Sequence, residues 1–459
     1  MTQKQPNLIR RIWVSVFPYP LLTQTEGGGK RFLLRNLILH FRPTSVPEQT
    51  MKLTLSWGLG GMALVLVSLQ IVTGVLLKFV YEPVPTHAYL SIIRMQQDVL
   101  FGQFIRNVHF WCANFLVIVL FLHTLRVFFT GAFHAPRQMT WVLGLGLFIL
   151  VLASNFTGYL LPWDQLAYWA TTISIGMLEY IPGIGHWLEN TIRGGPEMGP
   201  ATLRIFFAIH TAVLPFVIVM LMAFHFWRIR KAGGLVIPTS PGEESEEHPL
   251  RQPTVPNLLL REAVVALVVI AFVFMFSVSF DASMGEPANP GFSPNPTKAP
   301  WYFAGIQEML LHLDPSFAVF VVPVMIFLAL LFMPYVNYGT LTRGVWFFSE
   351  NGRRTAAVAA VVGAALMPLI IVLDEWVIDF AAWMPGLPVV VSNGVLPTLL
   401  ALAAILVFYG VMKRRFDLTR EEGIQTVFVF LVVSFLVLTI TCIWFRGQGM
   451  GLMWPWQVP

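Results

Sequence analysis

Nine stretches of this chain are each long and apolar enough to cross a membrane as a helix, and that limits what it can fold into more than any other feature. They lie near 53–80, 105–130, 140–161, 205–229, 258–280, 317–336, 355–374, 394–412 and 425–445. About 20 mainly apolar residues suffice to span the hydrocarbon core as a helix. Open sheet edges cannot exist in lipid, and no segment alternates with the period of two that a β-barrel requires. Charged residues are 12% of the chain, against about 25% in soluble globular proteins. The expected fold is all-α: a polytopic membrane protein with a four-helix bundle followed by a five-helix unit.

Charge placement orients the spans. Most of the 29 Lys and Arg residues fall on one side, in clusters such as KRFLLR at 30–35, RIRK at 228–231 and KRR at 413–415. By the positive-inside rule that side is the cytoplasm, so the N-terminus faces inward and the C-terminus outward. The N-terminal stretch lacks the apolar core of a cleavable signal, and residues 7–22 read as a segment lying on the membrane. The break in composition at 232–257, rich in Gly, Pro and Glu, reads as an exposed linker. The units are then 1–50 (cytoplasmic or interfacial), 51–234 (four helices), 235–257 (linker), 258–390 and 391–459. Long outward loops run over 162–204 and from 281 to about 315; loops of that length are often functional. The last two spans show no distinctive buried polar group, and Asp374, Glu375 and Asp379 read as a solvated loop face. The two cysteines, Cys112 and Cys442, suggest no disulfide framework.

Four of ten histidines lie inside spans: His109 and His123 on the second, His210 and His225 on the fourth. Ionisable groups at membrane depth are functional by default. Separations of 14 and 15 residues bring each pair back to roughly one helix face, about 21–22 Å apart along the axis. Both helices run inward, so His109 and His210 share the outer level, and His123 and His225 the inner. Neutral imidazoles from facing helices are good axial ligands for haem iron, and two matched pairs point to two b-type haems.

Glycines repeat the period. Gly60 and Gly74 are 14 apart on the first span, as are Gly144 and Gly158 on the third. A missing side chain lets a flat macrocycle approach the backbone, although glycine also serves close helix packing. Arg106 and Arg126 each stand three residues from a histidine, placed either to pair with haem propionates or to anchor the helix at the interface.

These residues resemble the cytochrome b family of quinol–cytochrome c and quinol–plastocyanin oxidoreductases. TGYLLPWDQLAYWA at 157–170, RGGPEMG at 193–199, IHTAVLP at 209–215 and FHFWRIRKAGG at 224–234 are similar to motifs of its split, photosynthetic-type members, as are Asp164 and the fifteen-residue histidine spacing. Residues 256–375 look like the family's second part, fused here through the Glu-rich linker. EPANPGFSPNPTKAPWYF at 286–303 is similar to the loop bearing its Pro-Glu-Trp-Tyr quinol motif. The last two spans have no counterpart in the minimal family pattern.

Two departures stand out. Pro300 occupies the place of the acidic residue thought to accept a quinol proton, with Glu308 and Glu286 as nearby substitutes. Gly58 stands where photosynthetic members carry a Cys that attaches an extra haem, so no covalent haem is expected.

The resemblance implies the cytochrome b subunit of a bc-type quinol:cytochrome c oxidoreductase in a bacterial cytoplasmic membrane, and no nucleic-acid partner. Quinol would be oxidised near the outer face, with Tyr159, Trp301 and Tyr302 as pocket walls and Glu308 as a candidate acid–base group. Electrons would divide between a Rieske iron–sulfur subunit, leading to a c-type cytochrome, and the two haems, which reduce a quinone at the inner side, where Arg230 could assist. Proton translocation follows. The chain has no Rieske motif and no Cys-x-x-Cys-His, so those centres belong to partner subunits of a complex expected to be dimeric. The alternative is a dihaem membrane anchor wiring quinone to another oxidoreductase without bifurcating electrons.

Overall fold

The computed structural model describes residues 8–16, 45–238, 249–338 and 344–458. The basic cluster at 30–35 and the Glu-rich run of the linker lie outside the described residues. Nine helices among the described residues are long and apolar enough to cross a membrane: Leu59–Lys78, Gly102–Phe129, Gln138–Tyr159, Pro200–Lys231, Thr254–Ser279, Phe317–Tyr335, Glu350–Trp376, Val390–Arg415 and Arg420–Trp444, here the first to ninth spans. The one strand pair described, Ser45–Pro47 against Arg251–Pro253, is antiparallel and ties the entry of the first span to that of the fifth. The end of the linker is thus paired backbone, and Arg251 and Pro253 within it are exposed, as the sequence suggested.

Local chemistry explains the departures from straight helix. The first span starts later than expected, because Trp57 and Gly58 adopt left-handed backbone and separate it from a short turn at Leu53–Ser56. The fourth, sixth and eighth spans each contain a π-type turn, at Ile209–Val213, Phe317–Val321 and Val390–Val395, two residues before Pro215, Pro323 and Pro397. Proline cannot donate to the preceding turn and its ring crowds the carbonyl there, and a π-bulge absorbs both effects. One of these bulges carries His210.

The first four spans share a core of Ala63, Leu66, Val67, Cys112, Leu116, Val151 and Ile218, closed on one side by Val273 of the fifth span. Asn107 and Arg106 on the second span hold the exit of the fifth. Asn107 Nδ2 donates to Ser277 O at 3.0 Å, and the Arg106 guanidinium donates to Ala282 O at 2.9 Å and Ser283 O at 2.8 Å. The first long loop, 162–204, is largely helical, at Gln165–Gly176 and Gly185–Arg193. The second is extended until the helix Ala304–His312. Asp164 ties the two loops together: its carboxylate accepts from Ala167 N at 2.8 Å, capping one helix, and from Gly285 N at 3.0 Å. At the N-terminus, helix Leu8–Val16 leaves Ile9 and Trp13 exposed, while Ser15 lies against Tyr335 at the end of the sixth span.

The ninth span corrects the sequence reading. It packs on the seventh and eighth spans and on the Ala304–His312 helix. It buries Glu422, Gln425, Thr426 and Thr441, and Arg446 follows just past its C-terminal end. Nor are Asp374 and Glu375 a bare loop face: Asp374 pairs with His312, and Glu375 with Arg446. A polar residue on one face of a helix reveals nothing until the neighbouring element is known, and here the neighbours are about 60 to 300 residues away.

Candidate redox site

The four histidines meet in the pairs the spacing suggests. The rings of His109 and His210 have centroids 6.2 Å apart and lie nearly perpendicular. With metal–imidazole bonds of about 2 Å, two rings facing one iron have centres roughly 6 Å apart. His123 and His225 are likewise within electrostatic reach of one another. Each histidine faces one of the four glycines. A Cβ on Gly74 would stand 3.2 Å from His109 Cε1, on Gly158 2.5 Å from His210, on Gly60 3.5 Å from His123 and on Gly144 3.4 Å from His225.

At the outer pair the ring tautomers are set by neighbours that the sequence reading missed. Thr73 Oγ1 donates to Leu69 O at 2.6 Å, so its lone pair accepts from His109 Nδ1 at 2.9 Å. His210 Nδ1 donates to Ser154 O at 3.0 Å, with Thr157 Oγ1 at 3.3 Å. Both Nε2 atoms keep their lone pairs for a ligand, the arrangement typical of metal-bound imidazole. Both threonines immediately precede a pocket glycine, in Thr73-Gly74 and Thr157-Gly158, a signal the sequence did contain. In the pair His123 and His225, Nδ1 of His123 is buried without a partner among the described residues. Arg126 Nε donates to Leu55 O at 3.0 Å, and its Nη2 is a buried donor with no partner among the described residues, which suits an anionic group. Arg106, by contrast, is directed at the outer loop backbone. Among the described residues no three His, Cys, Asp or Glu side chains form a cage for a bare metal ion. Paired imidazoles fit a metal that brings its own equatorial ligands.

The cytochrome b/b6/petB family model matches residues 45–233. Cytochrome b6 of Prochlorococcus marinus strain AS9601 is 44% identical over 175 residues, 38% of this chain and 80% of the relative; that of strain NATL1A is 43% identical over the same length. The chain belongs to the cytochrome b/b6 family. Family membership makes it an integral membrane protein of electron transport that binds b-type haem. Beyond residue 233 the likeness is one of fold: a chain of a solved hyperthermophilic respiratory Complex III superposes with a TM-score of 0.61 at 21% identity, covering 91% of this chain and 96% of that one.

In this cytochrome b, the loop bearing Pro300 is held from two directions. Trp301 Nε1 donates to Asn114 Oδ1 of the second span at 2.7 Å. Tyr302 stacks edge-on with Trp301 and Phe303, lies within electrostatic reach of Tyr159, and has its hydroxyl pushed up by burial, so it stays neutral. From the other side the ninth span and its tail grip the loop. Lys298 Nζ donates to Ile443 O at 2.8 Å, and Gly449 N donates to Asn295 Oδ1 at 2.6 Å. Gln307 bridges Ala299 N and Thr297 O at 2.7 and 2.8 Å.

The two carboxylates near the motif differ sharply. Glu286 is exposed. Glu308 is fully buried and receives both Nε, at 3.1 Å, and Nη2, at 2.7 Å, of Arg446. Arg230 is half-buried in the last turn of the fourth span, where Arg228 is the buried guanidinium and donates to Ser15 O.

Proposed function

We propose that this chain is the cytochrome b subunit of a bc-type quinol:cytochrome c oxidoreductase. The observation that supports it most directly is the fourfold pairing of histidine with glycine at two levels of one bundle. In this reading His109 and His210 ligate an outer haem, and His123 and His225 an inner one. Bound there, the two haems supply one-electron carriers at two depths of the membrane. Thr73, Ser154 and Thr157 orient the outer imidazoles, while Arg126 meets a carboxylate at the inner level. Tyr159, Trp301 and Tyr302 line an outer quinol pocket, Glu308 serves proton chemistry there, and Arg230 assists an inner quinone. The membrane is a bacterial cytoplasmic one, with the N-terminus inside and the C-terminus outside. Coupled proton translocation, Rieske and cytochrome c partners and a dimeric complex belong to the same proposal.

The test is quinol-driven reduction of the b haems in the purified complex, with an inner-site inhibitor present. Transient reduction of the haems alongside the high-potential acceptor supports it. Haems that reduce only from the inner side would instead make the chain a dihaem anchor without bifurcation, a reading that the replacement of the motif carboxylate by Pro300 keeps in play.

A further inference from the structure

We propose that Glu308, His312 and Asp374 form the route by which a quinol proton reaches the outer aqueous face, with Arg446 of the C-terminal extension fixing its inner end. The proposal rests on the quinol-oxidation reading above and deepens it.

Between Asn295 and Leu313 the ionisable side chains are Lys298, Tyr302, Glu308 and His312. Pro300 cannot take a proton. The buried Tyr302 is neutral, and Lys298 is committed to Ile443 O. Glu308 and His312 are the remaining acceptors, and both stand on the helix that begins directly after Trp301-Tyr302-Phe303. Glu308 Oε1 lies 3.2 Å from His312 Nε2, and His312 Nδ1 lies 2.6 Å from Asp374 Oδ2. Side-chain exposure rises along this series from 0% at Glu308 to 12% at His312 and 27% at Asp374. His312 and Asp374 then line a cavity of about 270 Å³, together with Asp314 and Asp379. A chain of hydrogen-bonded titratable groups graded from core to surface is what proton export requires, and imidazole, with two nitrogens, can accept on one side and donate on the other.

The charges favour the same direction. Glu308, Asp374 and Glu375 set three carboxylates against Arg446 and His312, with Arg446 Nη1 donating to Glu375 Oε2 at 2.8 Å. The cluster carries one net negative charge when His312 is protonated, and the two cavity aspartates extend that field outward, toward the side on which the proton leaves. Lys298 and Cys442 are the other titratable groups facing it. Burial pulls the His312 imidazole down, but Asp374 and Glu308 outweigh it and push it up to about 9.

The balance is simple. Quinol loses two hydroxyl protons and two electrons; the electrons would be taken singly by an iron–sulfur centre of a partner subunit and by the haem held by His109 and His210, and one proton would leave with the partner subunit, so that the route described here carries the other. That proton enters at Glu308. His312 gives the proton it holds toward Asp374 to that carboxylate and is reprotonated from the Glu308 side. Asp374 releases its proton to water in the cavity, and nothing in the chain of groups changes oxidation state.

The experiment uses the intact complex with a short-chain quinol as donor. Reduction of the b haems by quinol in the unsubstituted complex is measured first; its absence removes the quinol reading, and the relay with it. The expected result for His312→Gln and Asp374→Asn, each with its full haem complement, is a fall in kcat of roughly tenfold or more at unchanged KM. Asp374→Glu should restore the rate. A carboxyl band that appears on quinol addition in infrared difference spectra should vanish in Asp374→Asn or Glu308→Gln. Unchanged rates with an unchanged pH profile would overturn the relay. A raised KM at constant kcat would also overturn it, since that marks a merely positional role. Should His312→Gln fail to assemble, the partly exposed Asp374 carries the test alone.

Discussion

Gly158 stands so close to His210 that a Cβ on the glycine would lie 2.5 Å from the imidazole Cε1. The ring faces bare backbone on the third span, and its Nδ1 is fixed by Ser154 O of the same span. One helix therefore both makes room for the His210 ring and sets its orientation. Gly158→Val closes that space at the outer level only. The expected outcome is loss of one b haem from the purified protein, with the inner haem keeping its midpoint potential. Gly60→Val should remove the inner haem and spare the outer. Redox-titrated difference spectra separate the two, and loss of both haems from either variant would break the pairing.

Thr73 tests the hydrogen bond rather than the space. Thr73→Val keeps the shape but removes the acceptor for His109 Nδ1, which is left buried and unsatisfied. Partners of this kind are worth roughly 10–100-fold in metal affinity. Outer-haem retention should fall on detergent dilution, with a shifted outer midpoint and an unmoved inner one. Thr73→Ser should behave as the parent, and equal shifts at both haems would rule the assignment out.

Arg126 offers a buried donor, Nη2, with no partner among the described residues, in the last turn of the second span. If a haem propionate is its partner, Arg126→Gln leaves that carboxylate with one donor fewer. The inner midpoint should fall, because a less compensated negative charge disfavours the added electron. An inner midpoint that stays put would return Arg126 to the role of interfacial anchor.

The bundle and its histidine levels were legible in the sequence because membrane helices obey two strong periodicities. Span length follows from bilayer thickness, and 14 or 15 residues return a side chain to the same face. His109, His210 and the four glycines could therefore be placed without a structure. Arg446 could not. It stands past the end of an apolar span, where a basic residue reads as an anchor, and its partner Glu308 is 138 residues earlier. The strands Ser45–Pro47 and Arg251–Pro253 were hidden for the same reason, since each is three residues long and neither exists without the other.

Arg446 and Glu308 are 1% and 0% exposed, so removing either leaves a charge in the protein interior. Breaking such a pair from one side costs about 3–5 kcal/mol, whereas removing both partners costs much less. Arg446→Met should lower the thermal stability of the solubilised complex markedly and loosen the loop that Trp301 and Tyr302 occupy. The double variant Glu308→Gln with Arg446→Met should recover most of that loss. Additive losses in the double-mutant cycle would show that the two side chains do not act as a pair.

The same cluster gives stability a defined pH dependence. His312 is raised from its ordinary 6.5 to about 9 in the folded protein, so its contribution is complete below pH 6.5 and is lost as pH climbs through 9. Glu308 behaves oppositely. Burial raises it, but His312 and Arg446 prevail and hold it below the ordinary 4.5, so its contribution is present above that value and disappears in acid. Thermal inactivation, followed through the haem absorbance at one fixed scan rate, should therefore show a plateau between roughly pH 5 and 7 and a decline toward pH 9 and beyond. His312→Gln removes the titrating group and should flatten the alkaline limb while leaving the acid limb in place. An alkaline limb that survives in His312→Gln would mean that another base, not this imidazolium between two carboxylates, governs the stability of the outer site.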